Sequence, residues 1–138
     1  MNRNIFLPLV ISLLLVFGAA MAIGCSKGAQ IEDVSAQDAY SLIQDNRDNP
    51  DFVLIDVRTP KEFAEGHIEG AVNIDYNSGS FREEIDKLDR GKIYLIHCRS
   101  GRRSQGALGI MMELEFTKIY HMTGGMIEWV EEELPTVK

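Results

Sequence analysis

The chain has 138 residues, 45% hydrophobic and 25% charged, a balance that excludes a disordered or fibrous protein. Its net charge of −7 comes without any basic tract, which excludes a general nucleic-acid binder, because phosphate neutralisation dominates that affinity. Two cysteines cannot build a disulfide scaffold, nor a zinc cage by themselves.

The first segment, 1–24, begins with Arg3 and runs uncharged from Ile5 to Gly24, dense in Leu and Val and ending in small residues. A basic start, an apolar centre and a small-residue end are the layout of a secretory signal. The ending Ala22-Ile23-Gly24-Cys25 resembles a bacterial lipobox. That resemblance implies cleavage before Cys25, a lipid on its thiol, and a membrane-anchored protein outside the cytoplasm. An uncleaved membrane anchor is the competing reading. Residues 25–30 then read as the lipidated cysteine and a polar tether, and 31–138 as one folded domain.

Along that domain, Ser35 reads as the N-cap of a helix with Asp38 at N3 and Ala36, Ala39, Tyr40, Leu42 and Ile43 on one face. Phe52 to Ile55 is an apolar run of strand length, suited to a strand buried on both faces. Thr59-Pro60 opens a short helix with Phe63 inward, and Gly66 closes it. Ala71 to Ile74 is a short strand. Ser80 to Glu83 reads as a second capping box, before a helix with Ile85 and Leu88 on its apolar face. Lys92 to His97 is the second buried strand. Ser104 to Leu114 reads as a helix with Leu108, Met111, Met112 and Leu114 as its apolar residues. Lys118 to His121 is a third strand and Met126 to Glu133 a last helix before Pro135. This alternation implies an α/β fold with a mostly parallel sheet covered by helices.

The segment that carries chemistry is His97-Cys98-Arg99-Ser100-Gly101-Arg102-Arg103-Ser104, between a buried strand and a helix. Open α/β sheets bind ligands at the carboxyl ends of their strands. A loop wrapped around a helix N-terminus turns backbone N–H groups and dipole potential inward, and a thiol there ionises readily. Arg99, Arg102 and Arg103 add cationic charge. The site therefore reads as a nucleophilic thiolate in an anion cradle. Five residues after Cys98 lead to position 104, which is Ser where a protein phosphatase carries its phosphate-clamping Arg. The shorter ring, closed by Arg103, suits a persulfide.

The loop Cys98 to Arg103 with Ser104, the stretch Asp56-Val57-Arg58-Thr59-Pro60-Lys61-Glu62-Phe63, and Gly66-His67-Ile68-Glu69-Gly70-Ala71-Val72-Asn73-Ile74 resemble the motifs of a single-domain rhodanese. Gly124-Gly125, Trp129 and Pro135 fit the same family. The resemblance implies a five-stranded parallel core with helices on both sides. It also implies a sulfurtransferase, with Cys98 taking a sulfane sulfur from a small anionic donor such as thiosulfate and passing it to a thiophilic acceptor. A persulfide-carrying docking module and, less favoured, a phosphatase or arsenate-reductase-like enzyme are the alternatives.

Asp56 and Arg58 are expected to support the loop, Arg58 by pairing with a carboxylate. His67 is expected to be a hydrogen-bonded hinge. No cofactor is expected. No metal is expected either, since the three His residues lack ligand spacing. Met111, Met112, Met122 and Met126 read as core filler, and Trp129 as a core lid.

Overall fold

The computed structural model describes residues 28–138; Arg3, Cys25 and the rest of the signal and lipidation reading lie outside the described residues. Ten elements follow in order: β1 (Gln30–Val34), α1 (Ala36–Asp45), β2 (Phe52–Asp56), α2 (Pro60–Glu65), β3 (Val72–Asn73), α3 (Phe81–Asp86), β4 (Ile93–His97), α4 (Arg102–Glu113), β5 (Lys118–Met122) and α5 (Gly125–Glu131). The strands form one sheet in the order β1-β5-β4-β2-β3, every pair parallel.

The central strands β2 and β4 are apolar on both sides, and the sheet has a core on each face. Ile55, Tyr94, Ile96 and Ile119 pack beneath Phe81 and Ile85 of α3 and Ala107, Leu108 and Met111 of α4. Leu54, Leu95 and Met122 pack on the other face against Ala36 and Ala39 of α1 and Met126 and Trp129 of α5. Helices therefore cover both faces, as a parallel sheet requires.

Local chemistry accounts for the helix starts. Ser35 Oγ accepts the Asp38 N–H at 3.1 Å and donates to the Asp38 carboxylate at 2.7 Å. Thr59 and Glu62 form a full capping box in front of Pro60. Trp129 closes its core, 1% exposed, with its indole N–H on the Pro135 carbonyl at 3.0 Å.

Several expectations need correction. Gln30, read as the end of a tether, opens β1, an edge strand that the sequence reading passed over. Ser80 makes no side-chain cap; its hydroxyl donates to Glu84 instead. Phe63 is half-buried and stacks on His67, with ring centroids 3.7 Å apart. Met112 is 52% exposed, because Ser104, Ala107, Leu108 and Met111 occupy the inward stripe of α4 at three- and four-residue spacing. Met111, Met122 and Met126 are buried. No helix among the described residues is long and apolar enough to cross a membrane.

Candidate active site

β4 ends at His97 and the chain turns at once into the loop before α4. Cys98 stands at the bottom of that turn, 1% exposed. Gly101 makes the turn possible. Its φ is +88°, and a Cβ there would lie 2.1 Å from the Thr123 carbonyl oxygen, so no other residue fits. The geometry delivers the Gly101 N–H to Cys98 Sγ at 3.1 Å and the Ser104 hydroxyl to the same sulfur at 3.4 Å. Burial pushes the thiol pKa up. The Ser104 hydroxyl and the amides of Ser104, Ser100 and Arg103 outweigh it, and the pKa ends below the ordinary value. The sulfur is thus an ionisable nucleophile at a helix N-terminus.

The arginines divide. Arg102 and Arg103 belong to the first turn of α4 rather than to the loop before it. Arg103 is not a free cation closing a ring: its two terminal nitrogens donate to the two oxygens of Glu62 at 2.7 and 2.8 Å. That bidentate bond, chiefly, holds the Glu62 carboxyl down at about 2. It also ties α4 to α2 and places a carboxylate against a positive charge that the helix dipole disfavours at that end. Arg99 and Arg102 are exposed, and among the described residues neither has a carboxylate within ion-pair distance. A cleft of about 500 Å³ lined by Arg58, Glu62, Met126, Ile127 and Val130 meets the loop at Arg99.

The residues match the family model of the rhodanese-like domain over 28–132. The chain belongs to the rhodanese family. A protein of Allochromatium vinosum named sulfurtransferase is 33% identical over 104 residues, covering 75% of this chain and 95% of that protein. The rhodanese-related protein from Thermoplasma volcanium has a TM-score of 0.65 at 31% identity, covering 77% of this chain and 97% of its own. A polysulfide-sulfur transferase homodimer from Wolinella succinogenes has a TM-score of 0.62 at 33% identity, with 78% of each chain covered. A tRNA uridine(34) hydroxylase of Pectobacterium atrosepticum is 34% identical over 91 residues, but this chain spans only 25% of its length. Family and sulfurtransferase relative together support sulfur transfer as the general chemistry of this rhodanese domain.

Around the rhodanese loop, Asp56 and Arg58 form a buried pair. The Arg58 guanidinium donates to Asp56 Oδ2 at 2.7 Å and to the Gly66 carbonyl at 2.8 Å. Asn73 donates to the Asp56 and Arg58 carbonyls at 3.0 and 2.8 Å. The pair ties the end of β2 to the end of α2 and to β3. His67 Nδ1 lies 2.9 Å from the Phe63 carbonyl, and its backbone pairs with Val137.

Four contacts escaped the sequence reading, which named Glu62, Gly125 and His97 within its motifs without saying what they touch. The Glu62 bond to Arg103 is one. The second is at Gly125: its φ is +58°, and a Cβ would meet the Arg99 and Cys98 carbonyl oxygens at 2.5 and 2.7 Å. The same two carbonyls accept the N–H groups of Ile127 and Met126, each at 3.0 Å, so α5 is welded to the loop. The third is a chain from Ser104 through His121 to Asp33. The fourth is at His97, fully buried with Nδ1 on the Cys98 carbonyl at 3.2 Å and Nε2 without a hydrogen-bond partner, 3.8 Å from Asp56 Oδ2. Burial pushes its pKa down, the nearby Asp56 carboxylate opposing.

Proposed function

We propose that the protein is a rhodanese-type sulfurtransferase that carries one sulfane sulfur on Cys98, taken from an anionic donor such as thiosulfate. The Cys98 thiolate attacks the outer sulfur of thiosulfate. A new S–S bond forms to Cys98, the sulfur–sulfur bond of thiosulfate breaks, and its electron pair leaves with sulfite. A nucleophilic acceptor then attacks the outer sulfur of the persulfide, and the bonding pair returns to Cys98 as thiolate. No proton is consumed in the cycle once the thiol is ionised.

One observation carries this reading: a buried sulfur that receives the Gly101 N–H and the Ser104 hydroxyl at the mouth of a helix, with its pKa lowered. Those donors suit one added sulfur carrying negative charge. Ser100, Gly101 and Ser104 form the cradle in this proposal, while Arg99 and Arg102 at the rim attract the donor anion. Asp56, Arg58 and His67 hold the surrounding turns in place. The phosphatase alternative is disfavoured because Arg103, the cation nearest the clamping position, is bonded to Glu62 through both terminal nitrogens.

Sulfur transfer from thiosulfate to cyanide, assayed beside hydrolysis of an aryl phosphate, tests the proposal. Wild type transfers sulfur and leaves the ester intact; Cys98→Ser retains less than a few per cent of the transfer. Transfer surviving in Cys98→Ser, or ester hydrolysis by the wild type, overturns it. The N-terminal pattern supports a lipidated Cys25 and a location outside the cytoplasm as part of the same proposal. Mass analysis of the mature N-terminus tests this: a diacylated Cys25 supports it and an unprocessed Met1 overturns it.

A further inference from the structure

Ser104 touches Cys98 on one side and His121 on the other. Ser104 Oγ is 3.4 Å from Cys98 Sγ and 2.9 Å from His121 Nε2. His121 Nδ1 is 3.1 Å from Asp33 Oδ1. The fold builds this line from distant parts of the chain. Ser104 is in the first turn of α4, His121 is on β5, and Asp33 is its ladder partner on β1. Ser104 is fully buried and the His121 side chain is 2% exposed, whereas the Asp33 side chain is 68% exposed. The line thus runs from a buried sulfur to solvent.

Donor and acceptor rules leave two self-consistent arrangements. An ionised carboxylate only accepts, so His121 Nδ1 carries a proton in both. With a neutral imidazole, Nε2 accepts from the Ser104 hydroxyl, and the hydroxyl oxygen is free to accept from the Cys98 thiol. With an imidazolium, Nε2–H donates to Ser104 Oγ and the hydroxyl proton turns to the thiolate. The Gly101 carbonyl, 3.0 Å from Ser104 Oγ, already accepts the Gln105 N–H at 2.9 Å and has no need of that proton. We propose that His121, held by Asp33, accepts the Cys98 thiol proton through the Ser104 hydroxyl and so sets the ionisation of the nucleophile. The S–H proton moves to Ser104 Oγ as the O–H proton moves to Nε2; the sulfur becomes a thiolate and the imidazole an imidazolium.

Ser, His and Asp are also the members of a hydrolytic triad. Here the serine is sealed behind the cysteine and has no path to a substrate carbonyl. His121 is therefore a positioning residue acting through Ser104. The groups facing it are Asp33 from β1 and Cys98, through Ser104, from the loop; its ladder neighbour on β4 is the apolar Ile96. The role in catalysis rests on the sulfurtransferase reading, but the proton chain does not.

The test is the pH profile of thiolate formation, followed by ultraviolet absorbance and by the rate of iodoacetamide alkylation, in wild type, His121→Gln and Asp33→Ala. The midpoint is expected to rise by about one pH unit in His121→Gln and by a smaller amount in Asp33→Ala. Wild-type profiles in both variants overturn the relay. If His121→Gln does not fold, Asp33→Ala decides alone, since its exposed side chain supports no core: a raised midpoint upholds the relay and an unchanged one overturns it. Thiosulfate transfer in the wild type separates the two claims. Transfer with unshifted profiles leaves the function standing and removes the relay; shifted profiles without transfer do the reverse.

Discussion

Arg58 and Asp56 illustrate how residues near the Cys98 loop can serve the scaffold. Asp56 is fully buried, and its carboxylate receives the Arg58 backbone N–H, Nε and a terminal nitrogen. Removing one partner of such a pair leaves an uncompensated buried charge, which costs about 3–5 kcal/mol. Arg58→Ala is therefore expected to lower unfolding stability by that amount in urea titration, whatever its effect on turnover. The rim cations behave differently. Arg99 and Arg102 are solvated, so losing either one is worth on the order of 1 kcal/mol or less, about a fivefold rise in KM for thiosulfate at most. Added salt is expected to raise KM in the wild type too, as the field is screened. Unchanged kinetics in both variants would mean that backbone N–H groups hold the anion alone. The Cys98 loop was legible in the sequence because it lies within a few residues along the chain; that Arg58 pairs with a carboxylate was expected, but that the carboxylate is Asp56 comes from the structure. The Arg103–Glu62 bond was not legible, because it joins residues 41 apart through a packing of α2 on α4 that no local pattern encodes.

At the scale of elements, the sheet shows which strands announce themselves. β2 and β4 stand in the middle, need apolar side chains on both faces, and read as continuous apolar runs. β1 is an edge strand: only Val34 of Gln30-Ile31-Glu32-Asp33-Val34 is buried, so it lacks both a run and a clean alternation. Missing β1 concealed Asp33, and with it the partner of His121. The contact between α5 and the loop was hidden in the same way, since Gly124-Gly125 reads locally only as a chain break. Its consequence is a prediction. Gly125→Ala forces a Cβ against the Cys98 and Arg99 carbonyls at a positive φ. Sulfur transfer is expected to fall by at least tenfold with the loop displaced, while Gly109→Ala, at a helix position with open space around it, leaves transfer unchanged. Equal activity in the two variants would contradict a loop held by α5.

For the whole molecule, a pH dependence of stability is expected from His97. Its native pKa lies below the ordinary 6.5 because burial disfavours the imidazolium. As pH falls below about 6.5 the unfolded chain takes up a proton that the native protein refuses, so the contribution is present above that pH and lost beneath it. The urea midpoint is expected to drop between pH 7 and pH 5, and His97→Asn to reduce the drop; parallel curves would rule His97 out as its source. Whether Cys98 carries one sulfur, as proposed, is read out by intact mass after incubation with thiosulfate. The wild type is expected to gain one sulfur atom and lose it to cyanide, and Cys98→Ser to gain none. A wild-type mass that never changes, or a gain that persists in Cys98→Ser, would contradict the proposal.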